Sequence, residues 1–116
     1  MSTATERIKV CLTDARPVNI NPNNWPVIAT ARDWEGQYEF QSFRKWSITV
    51  RQKGDAYLVY GWKTSAYECD DNVSHGFRAT AKDLIQRIKD VANLIEPHNA
   101  ESLAQTCIND LPEEEI

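Results

Sequence analysis

The sequence predicts an α+β fold in which an antiparallel sheet of three to five strands is packed on one face by a long C-terminal helix. The first observation is that apolar residues alternate with period two in the first two thirds of the chain. The second is that apolar residues recur at spacings of three and four near the C-terminus. The third is the length of 116 residues, which suits one domain. We therefore expect a single domain over residues 1–111, followed by an acidic tail over residues 112–116.

The chain begins with a predicted strand in the segment RIKVCLT. Ile8, Val10 and Leu12 share one face of this segment, and polar residues or cysteine occupy the other. This period is expected of a strand with one face on a core. The following stretch, residues 14–24, is rich in proline and asparagine and is predicted to be a loop with a short extended piece at residues 18–20.

A short N-terminal helix is predicted next, from Trp25 to Asp33. Asn24 stands where a helix N-cap is expected, and Pro26 falls in the first turn, where its missing N–H costs nothing. Gly36 is typical of a residue just beyond a helix end.

Three runs with period two follow, and each is predicted to be a strand. The alternating positions are Tyr38 and Phe40 in the first run, Trp46, Ile48 and Val50 in the second, and Tyr57, Val59 and Gly61 in the third. The second and third runs are joined by QKGD, in which Gly54 is able to take a positive φ. This stretch is the clearest turn in the sequence and predicts a hairpin.

The last part of the chain predicts two helices. The stretch KTSAYECDDNVSHGF is interpreted mainly as a loop, with a fourth short strand near Ala66–Cys69. Thr80 is predicted to cap the long helix, because Asp83 follows three residues later in a box-like arrangement. Asn99 is predicted to cap a second helix that ends at Pro112.

Charge and cysteine content restrict the class of protein. Residues 1–63 contain nine Lys/Arg and six Asp/Glu, whereas residues 64–116 contain four and eleven. The chain is therefore neither uniformly basic nor uniformly acidic. Its three cysteines are widely spaced, and no long apolar stretch follows a basic start. We expect a cytoplasmic protein with no disulfide framework and no membrane span.

Catalytic and metal-binding sites have little support in the sequence. Cys69 and His75 would be able to meet across a turn, but a free cysteine outside a motif is more often a packing residue. The segment CDDNVSH collects metal-binding residue types, yet its spacing matches neither a calcium loop nor a zinc motif. We therefore predict no enzyme activity, no cofactor and no metal site.

A basic strand face allows a nucleic-acid-binding interpretation. Lys45, Ser47, Thr49 and Arg51 would face outward if Trp46 faces the core, and Lys53 and Lys63 would join them. The alternative site consists of Arg44, Lys45, Arg51, Lys53 and Lys63. Phe43 and either Tyr57 or Tyr60 would be available to stack on bases. A charged outer face is also what any one-sided antiparallel sheet requires, so this interpretation competes with simple solvation.

A protein-binding interpretation is favoured by the aromatic content. The chain has four Trp and four Tyr residues, and exposed aromatic residues are frequent interface anchors. Trp34 is the leading candidate because charged residues and Gly36 surround it; the alternative is that it folds back over the sheet. The predicted protein-binding residues are Trp34, Tyr38 and Tyr60. A homodimer through a sheet face or edge is a further possibility.

The chain also resembles small uncharacterised proteins encoded in phages and integrative elements of proteobacteria. The resemblance is carried by PVNINPNNWPVIATA, by RKWSITVRQ with YLVYGW after it, and by CINDLPEEEI, and so spans most of the chain. It implies a mobile-element origin and a cytoplasmic location, and no activity or functional residue comes with it. In such genomes small proteins often bind a host or phage macromolecule, so the resemblance favours a protein partner over a substrate.

Overall fold

A computed structural model describes residues 7–67 and 71–112. The strands are β1 (Ile8–Val10), β2 (Val18–Ile20), β3 (Val27–Trp34), β4 (Arg44–Lys53), β5 (Ala56–Ser65) and β6 (Val73–Ala79). The helices are α1 (Leu84–Ile95) and α2 (Ala100–Asp110), and a single 3-10 turn spans Glu39–Gln41. The predicted α+β class with antiparallel pairing is confirmed.

The strands form two antiparallel sheets. β3, β4, β5 and β6 make a four-stranded meander in that order, and β1 pairs with β2 in a separate two-stranded sheet. β4 and β5 form the predicted hairpin, because Lys53 pairs with Ala56 and Gly54 takes a φ of +59° in the two-residue turn between them.

Both helices pack on one face of the four-stranded sheet. Ile48, Val50 and Val59 are fully buried there against apolar side chains of α1 such as Ile88 and Val91. The prediction that Ile48 and Val50 face the core is thus confirmed. Neighbouring Trp46 is half-buried on the same side, and its indole N–H donates to the Ile95 carbonyl at 3.1 Å.

The second sheet covers part of the opposite face, which the sequence predicted to be solvated. Val10, Leu12 and Ile20 form a smaller buried cluster with Leu58 of β5. The chain therefore has three layers, with helices, a four-stranded sheet and a two-stranded sheet in order. The prediction of a sheet packed on one face only is corrected. The β1–β2 sheet packs on the side away from the helices and buries Leu58 there.

The predicted helix over Trp25–Asp33 is wrong, because Val27–Trp34 form β3. The residues from Val27 to Ala31 fit the alternating pattern of a strand as well as they fit the spacing of a helix. The β-branched residues among them favour the strand. Pairing with β4 decides the outcome, and it buries the small Ala29 and Ala31 under the helices. The predicted strand at Tyr38 and Phe40 is also wrong, since the 3-10 turn Glu39–Gln41 lies there.

The two C-terminal helices are confirmed, with one change at a boundary. α1 begins three residues later than predicted, and Asp83 rather than Thr80 is its N-cap residue. Thr80 donates its backbone N–H to Asp83 Oδ1 at 2.6 Å, which lowers the pKa of Asp83. Asn99 precedes α2 as predicted.

Of the predicted fourth strand near Ala66–Cys69, the described residues Ala66 and Tyr67 belong to no strand. β6 begins at Val73, while residues 68–70 lie outside the described residues. The acidic tail lies almost wholly outside them as well, since the description ends at residue 112. In the part that is described, no helix is long and apolar enough to cross a membrane.

Candidate interaction surface

Five exposed aromatic side chains lie at one end of the four-stranded sheet, where β3 ends, β4 begins and β5 ends. We call this set the aromatic end; it comprises Trp34, Tyr38, Phe40, Phe43 and Tyr67. Phe40 is 76% exposed and Phe43 is 57% exposed, which is unusual for phenylalanine. Exposed apolar surface of this kind is typical of interaction sites.

The connection between β3 and β4 holds the first part of the aromatic end. The Ser42 backbone N–H donates to the Glu39 carbonyl at 3.1 Å, and the Ser42 hydroxyl donates to the Tyr38 carbonyl at 2.6 Å. These bonds close the 3-10 turn and bring the rings of Tyr38 and Phe40 to 5.5 Å between centroids. The two rings contact each other and still leave most of Phe40 in solvent.

The second part of the aromatic end joins β4 to β5. The rings of Phe43 and Tyr67 are 5.1 Å apart, and the Ala66 backbone N–H donates to the Phe43 carbonyl at 2.8 Å. The Arg44 guanidinium lies 4.5 Å from the centre of the Tyr67 ring. It also donates to Glu35 at 2.9 Å, so cation and carboxylate neutralise each other beside the rings.

The predicted protein-binding residues are divided by the structure. Trp34 and Tyr38 belong to the aromatic end, where they are 37% and 49% exposed. Tyr60 does not, because it is half-buried beside the β1–β2 cluster, and its hydroxyl accepts from Arg51 Nε at 2.9 Å. Phe40 and Tyr67 were not predicted as site residues; the density of aromatic residues between 38 and 43 is a local signal for Phe40, and no such cluster surrounds Tyr67.

The five basic residues of the nucleic-acid alternative do not share one face. Lys63 lies opposite Trp46 in the β4–β5 register, and Arg44 also alternates with Trp46 on the helix side. Lys45, Arg51 and Lys53 lie on the other side. The expectation that Lys63 joins the outward basic face is therefore wrong, since each position along a paired strand has a fixed side.

Arg51 has a structural role that the sequence did not reveal. Its guanidinium donates to the Tyr60 hydroxyl and, at 2.8 Å, to the Trp25 carbonyl. These bonds link β4 to the loop after β2. Exposed Lys53 and half-buried Lys45 are left as the cations of this face from the predicted set.

Both edges of the four-stranded sheet are partly occupied. At the β3 edge, the Thr30 backbone N–H donates to Asp110 Oδ2 at 2.9 Å. At the β6 edge, Thr13 donates its N–H to the Gly76 carbonyl and accepts the Gly76 N–H on its hydroxyl. A second chain would have to displace these groups before it paired with either edge.

A cavity of about 490 Å³ lies between the end of the sheet and the corner joining α1 to α2. Its lining includes Arg44, Trp46 and Lys63 from the sheet and Glu96 and His98 from the corner. Glu96 is only 3% exposed, and its Oε2 has no hydrogen-bond partner in the described part of the chain. Burial and the neighbouring Asp33 carboxylate raise the pKa of Glu96 to about 7.

The structure describes only some of the groups considered for catalysis or metal binding. His75 Nδ1 lies 3.0 Å from the Thr13 hydroxyl, and Cys69 and Asp70 fall outside the described residues. Cys107 is buried, which raises the pKa of its thiol to about 12. Over residues 7–67 and 71–112, no three His, Cys, Asp or Glu side chains are grouped to hold a metal ion.

No family model, curated protein or solved structure matches this chain.

Proposed function

We propose that the protein is a non-enzymatic binding protein that contacts a partner protein through its aromatic end. The observation that carries this proposal is the exposure of Trp34, Tyr38, Phe40, Phe43 and Tyr67 at one end of the sheet. Aromatic residues supply much of the binding energy at protein interfaces, because a rigid ring buries a large area at little entropic cost.

The charges around the aromatic end indicate the kind of partner. Arg44 is paired with Glu35, and Arg32 is paired with Glu39. The charged side chains beside the aromatic end therefore neutralise each other in ion pairs. They do not give this surface a strong net charge of either sign. We propose that the partner offers an apolar protein surface rather than a polyanion.

The resemblance to phage and mobile-element proteins supports a host or phage protein as that partner. It also supports action in the cytoplasm. Small proteins of such genomes often act by binding another macromolecule, and an aromatic surface held at a sheet end is suited to that role.

The test is affinity purification from the native host with nuclease treatment and mass spectrometry. We expect Phe40→Ser combined with Phe43→Ser to reduce recovery of the partner by about tenfold or more, because a lost aromatic anchor costs at least 1–2 kcal/mol. The control is Ile85→Ser combined with Leu94→Ser, which removes two exposed apolar side chains from α1.

The outcomes separate the proposal from its alternatives. Partner recovery that is unchanged in the phenylalanine variant, or equally reduced in the α1 control, would contradict a role for the aromatic end. Recovery of nucleic acid in samples without nuclease, and loss of every protein after nuclease, would favour the nucleic-acid-binding alternative.

A further inference from the structure

An exposed arginine of β6 lies between two neighbouring cavities on the side of the sheet away from the helices. Arg78 pairs with Leu58 in the β5–β6 register, so both side chains lie on the side that the β1–β2 sheet covers. One cavity, of about 390 Å³, lies between β2 and the adjacent ends of β5 and β6. The other, of about 460 Å³, lies beside the connection from β1 to β2. Val18 and Arg78 line both, so the two cavities adjoin there.

The first cavity has apolar walls that remain in contact with solvent. Trp25 and Val18 pack against the buried β1–β2 cluster, but each is only half-buried. Both line the cavity, and exposed Ala56 at the start of β5 extends the same wall. A cavity of this volume with apolar walls suits the apolar part of a small molecule.

The second cavity carries a net positive charge. Its lining includes Arg16 and Arg78, which are both exposed, and neither guanidinium makes an ion pair or hydrogen bond within residues 7–67 and 71–112. Asp14 is the one carboxylate in that lining, and it is ion-paired with neither arginine. Two cations and one anion leave a single positive charge. A guanidinium presents its N–H groups in a planar fork that matches the two oxygens of a carboxylate.

We propose that the two cavities together bind a medium-chain fatty acid, an elongated monocarboxylate. Its carboxylate accepts hydrogen bonds from Arg78 and Arg16, and its hydrocarbon chain covers the exposed surfaces of Trp25 and Val18. The single net positive charge suits a monoanion. A phosphate monoester would carry a second negative charge close to Asp14, and an amine would be repelled by both guanidinium groups.

The order of the two cavities requires a ligand with its charge at one end. Arg78 stands where they adjoin, so a head group bound there leaves a chain free to extend along Trp25. A short acid such as butyrate keeps the carboxylate but leaves the apolar wall in water. A longer acid gains free energy with each methylene that it places against that wall, so affinity should rise with chain length.

The test uses the full chain and sodium octanoate at millimolar concentration. Binding is followed by calorimetry and by the indole N–H signal of Trp25 in NMR spectra, assigned among the four tryptophans with Trp25→Phe. We expect octanoate to shift that signal. Butyrate lacks most of the chain, octan-1-ol lacks the charge and octylamine reverses it, so each should bind about tenfold more weakly or worse.

Three substitutions test the charges. Arg78→Met should weaken octanoate about tenfold, and its combination with Arg16→Met should remove the advantage of octanoate over octan-1-ol. Asp14→Asn should strengthen octanoate by about two- to fivefold, because it removes the one negative charge of the lining. All three residues are exposed, so the fold should survive each change. Lys89→Met is the control, since Lys89 is an exposed cation of α1, on the other side of the sheet.

The proposal is overturned if octanoate does not move the Trp25 signal, if butyrate or octan-1-ol binds as tightly as octanoate, or if Arg78→Met has no more effect than Lys89→Met. Weaker binding by Asp14→Asn would also contradict it. The site is independent of the aromatic end, so Phe40→Ser with Phe43→Ser should bind octanoate as the unaltered chain does. Failure of the fatty-acid site and failure of the protein-binding site are therefore distinguishable.

Discussion

Glu96 lies beside Asp33, so that two carboxyl groups meet where the end of β3 contacts the corner between α1 and α2. Glu96 is buried, and Asn99 donates only a long bond of 3.4 Å to its Oε1. The neutral form of Glu96 is therefore favoured in the folded chain.

This pair makes stability depend on pH in a defined direction. The pKa of Glu96 is about 7 in the folded chain, against about 4.3 for an unfolded glutamate. The folded chain binds the Glu96 proton more tightly than the unfolded chain does. The contribution of this proton to stability is therefore complete below about pH 4 and is lost as pH rises through 7. We expect Glu96→Gln to be more stable than the unaltered chain at pH 8, by roughly 1–2 kcal/mol after allowing for solvent access.

At pH 5 the same substitution should stabilise the chain by a clearly smaller amount, because the folded acid is then largely neutral and the amide removes no buried charge. The measurement is urea unfolding at both pH values. Asp90→Asn on α1 is a suitable control, since that carboxylate is partly exposed and is paired with Arg87. A Glu96→Gln variant that is equally affected at pH 5 and pH 8 would contradict an uncharged Glu96.

Close packing of backbone against helix makes Gly61 intolerant of any side chain. A Cβ added there would lie 2.7 Å from both the Ser47 carbonyl oxygen and the Val91 side chain. We expect Gly61→Ala to lower the free energy of unfolding by about 1–3 kcal/mol, because a fixed backbone atom cannot yield. Gly54→Asn in the hairpin turn is the control and should stay within about 0.5 kcal/mol. An unchanged midpoint for Gly61→Ala in thermal or urea unfolding would show that α1 does not approach β5 this closely.

Local patterns predicted the elements whose partners are near in sequence. The β4–β5 hairpin needs only its alternation and Gly54, and α2 needs only its apolar spacing and Asn99. β3 was mistaken for a helix because Asn24 and Pro26 imitate a helix start. Its strand conformation is fixed by pairing with β4, which no local signal encodes.

The candidate site was predicted less well for a related reason. Trp34 and Tyr38 were identified, but exposure depends on which layers cover a residue. Tyr60 was expected at the surface, and the distant β1–β2 sheet packs against it. Lys63 was predicted on the wrong face of the sheet. Its side depends on which residue of β4 it pairs with, and it pairs with Trp46 on the helix side.

Arg51 should matter for stability rather than for binding an anion. Arg51→Met removes the bonds to the Tyr60 hydroxyl and the Trp25 carbonyl, and we expect a loss of about 1–3 kcal/mol in the free energy of unfolding. Lys53→Met is the control on the same strand; it is exposed and should change stability by less than about 0.5 kcal/mol. Equal effects of the two substitutions in urea unfolding would argue against the bridging role of Arg51.

The nucleic-acid alternative can be tested by the salt dependence of binding to a labelled oligonucleotide. Since the five cations are divided between two faces, we expect no binding that falls steeply with salt. Lys45→Glu combined with Lys53→Glu leaves the described hydrogen bonds of Arg51 in place and tests the outer face alone. Steep salt-dependent binding that this pair abolishes would establish the alternative against our proposal.

Adjacent residues of β5 should separate the two cores. Leu58 packs against the β1–β2 sheet and Val59 packs against the helices, and both are buried. Leu58→Ala should lower the free energy of unfolding by about 2–5 kcal/mol if the whole domain loses that layer's packing.

Hydrogen exchange is the sharper measurement, because the small cluster is able to open by itself. We expect Leu58→Ala to increase exchange of the paired amides of β1 and β2 far more than those at the centre of β4. Val59→Ala, the matched control, should instead increase exchange in β4 and α1 as well, since it weakens the shared helix–sheet core. Equal patterns for the two variants would mean that the β1–β2 sheet is not a separate layer with its own stability.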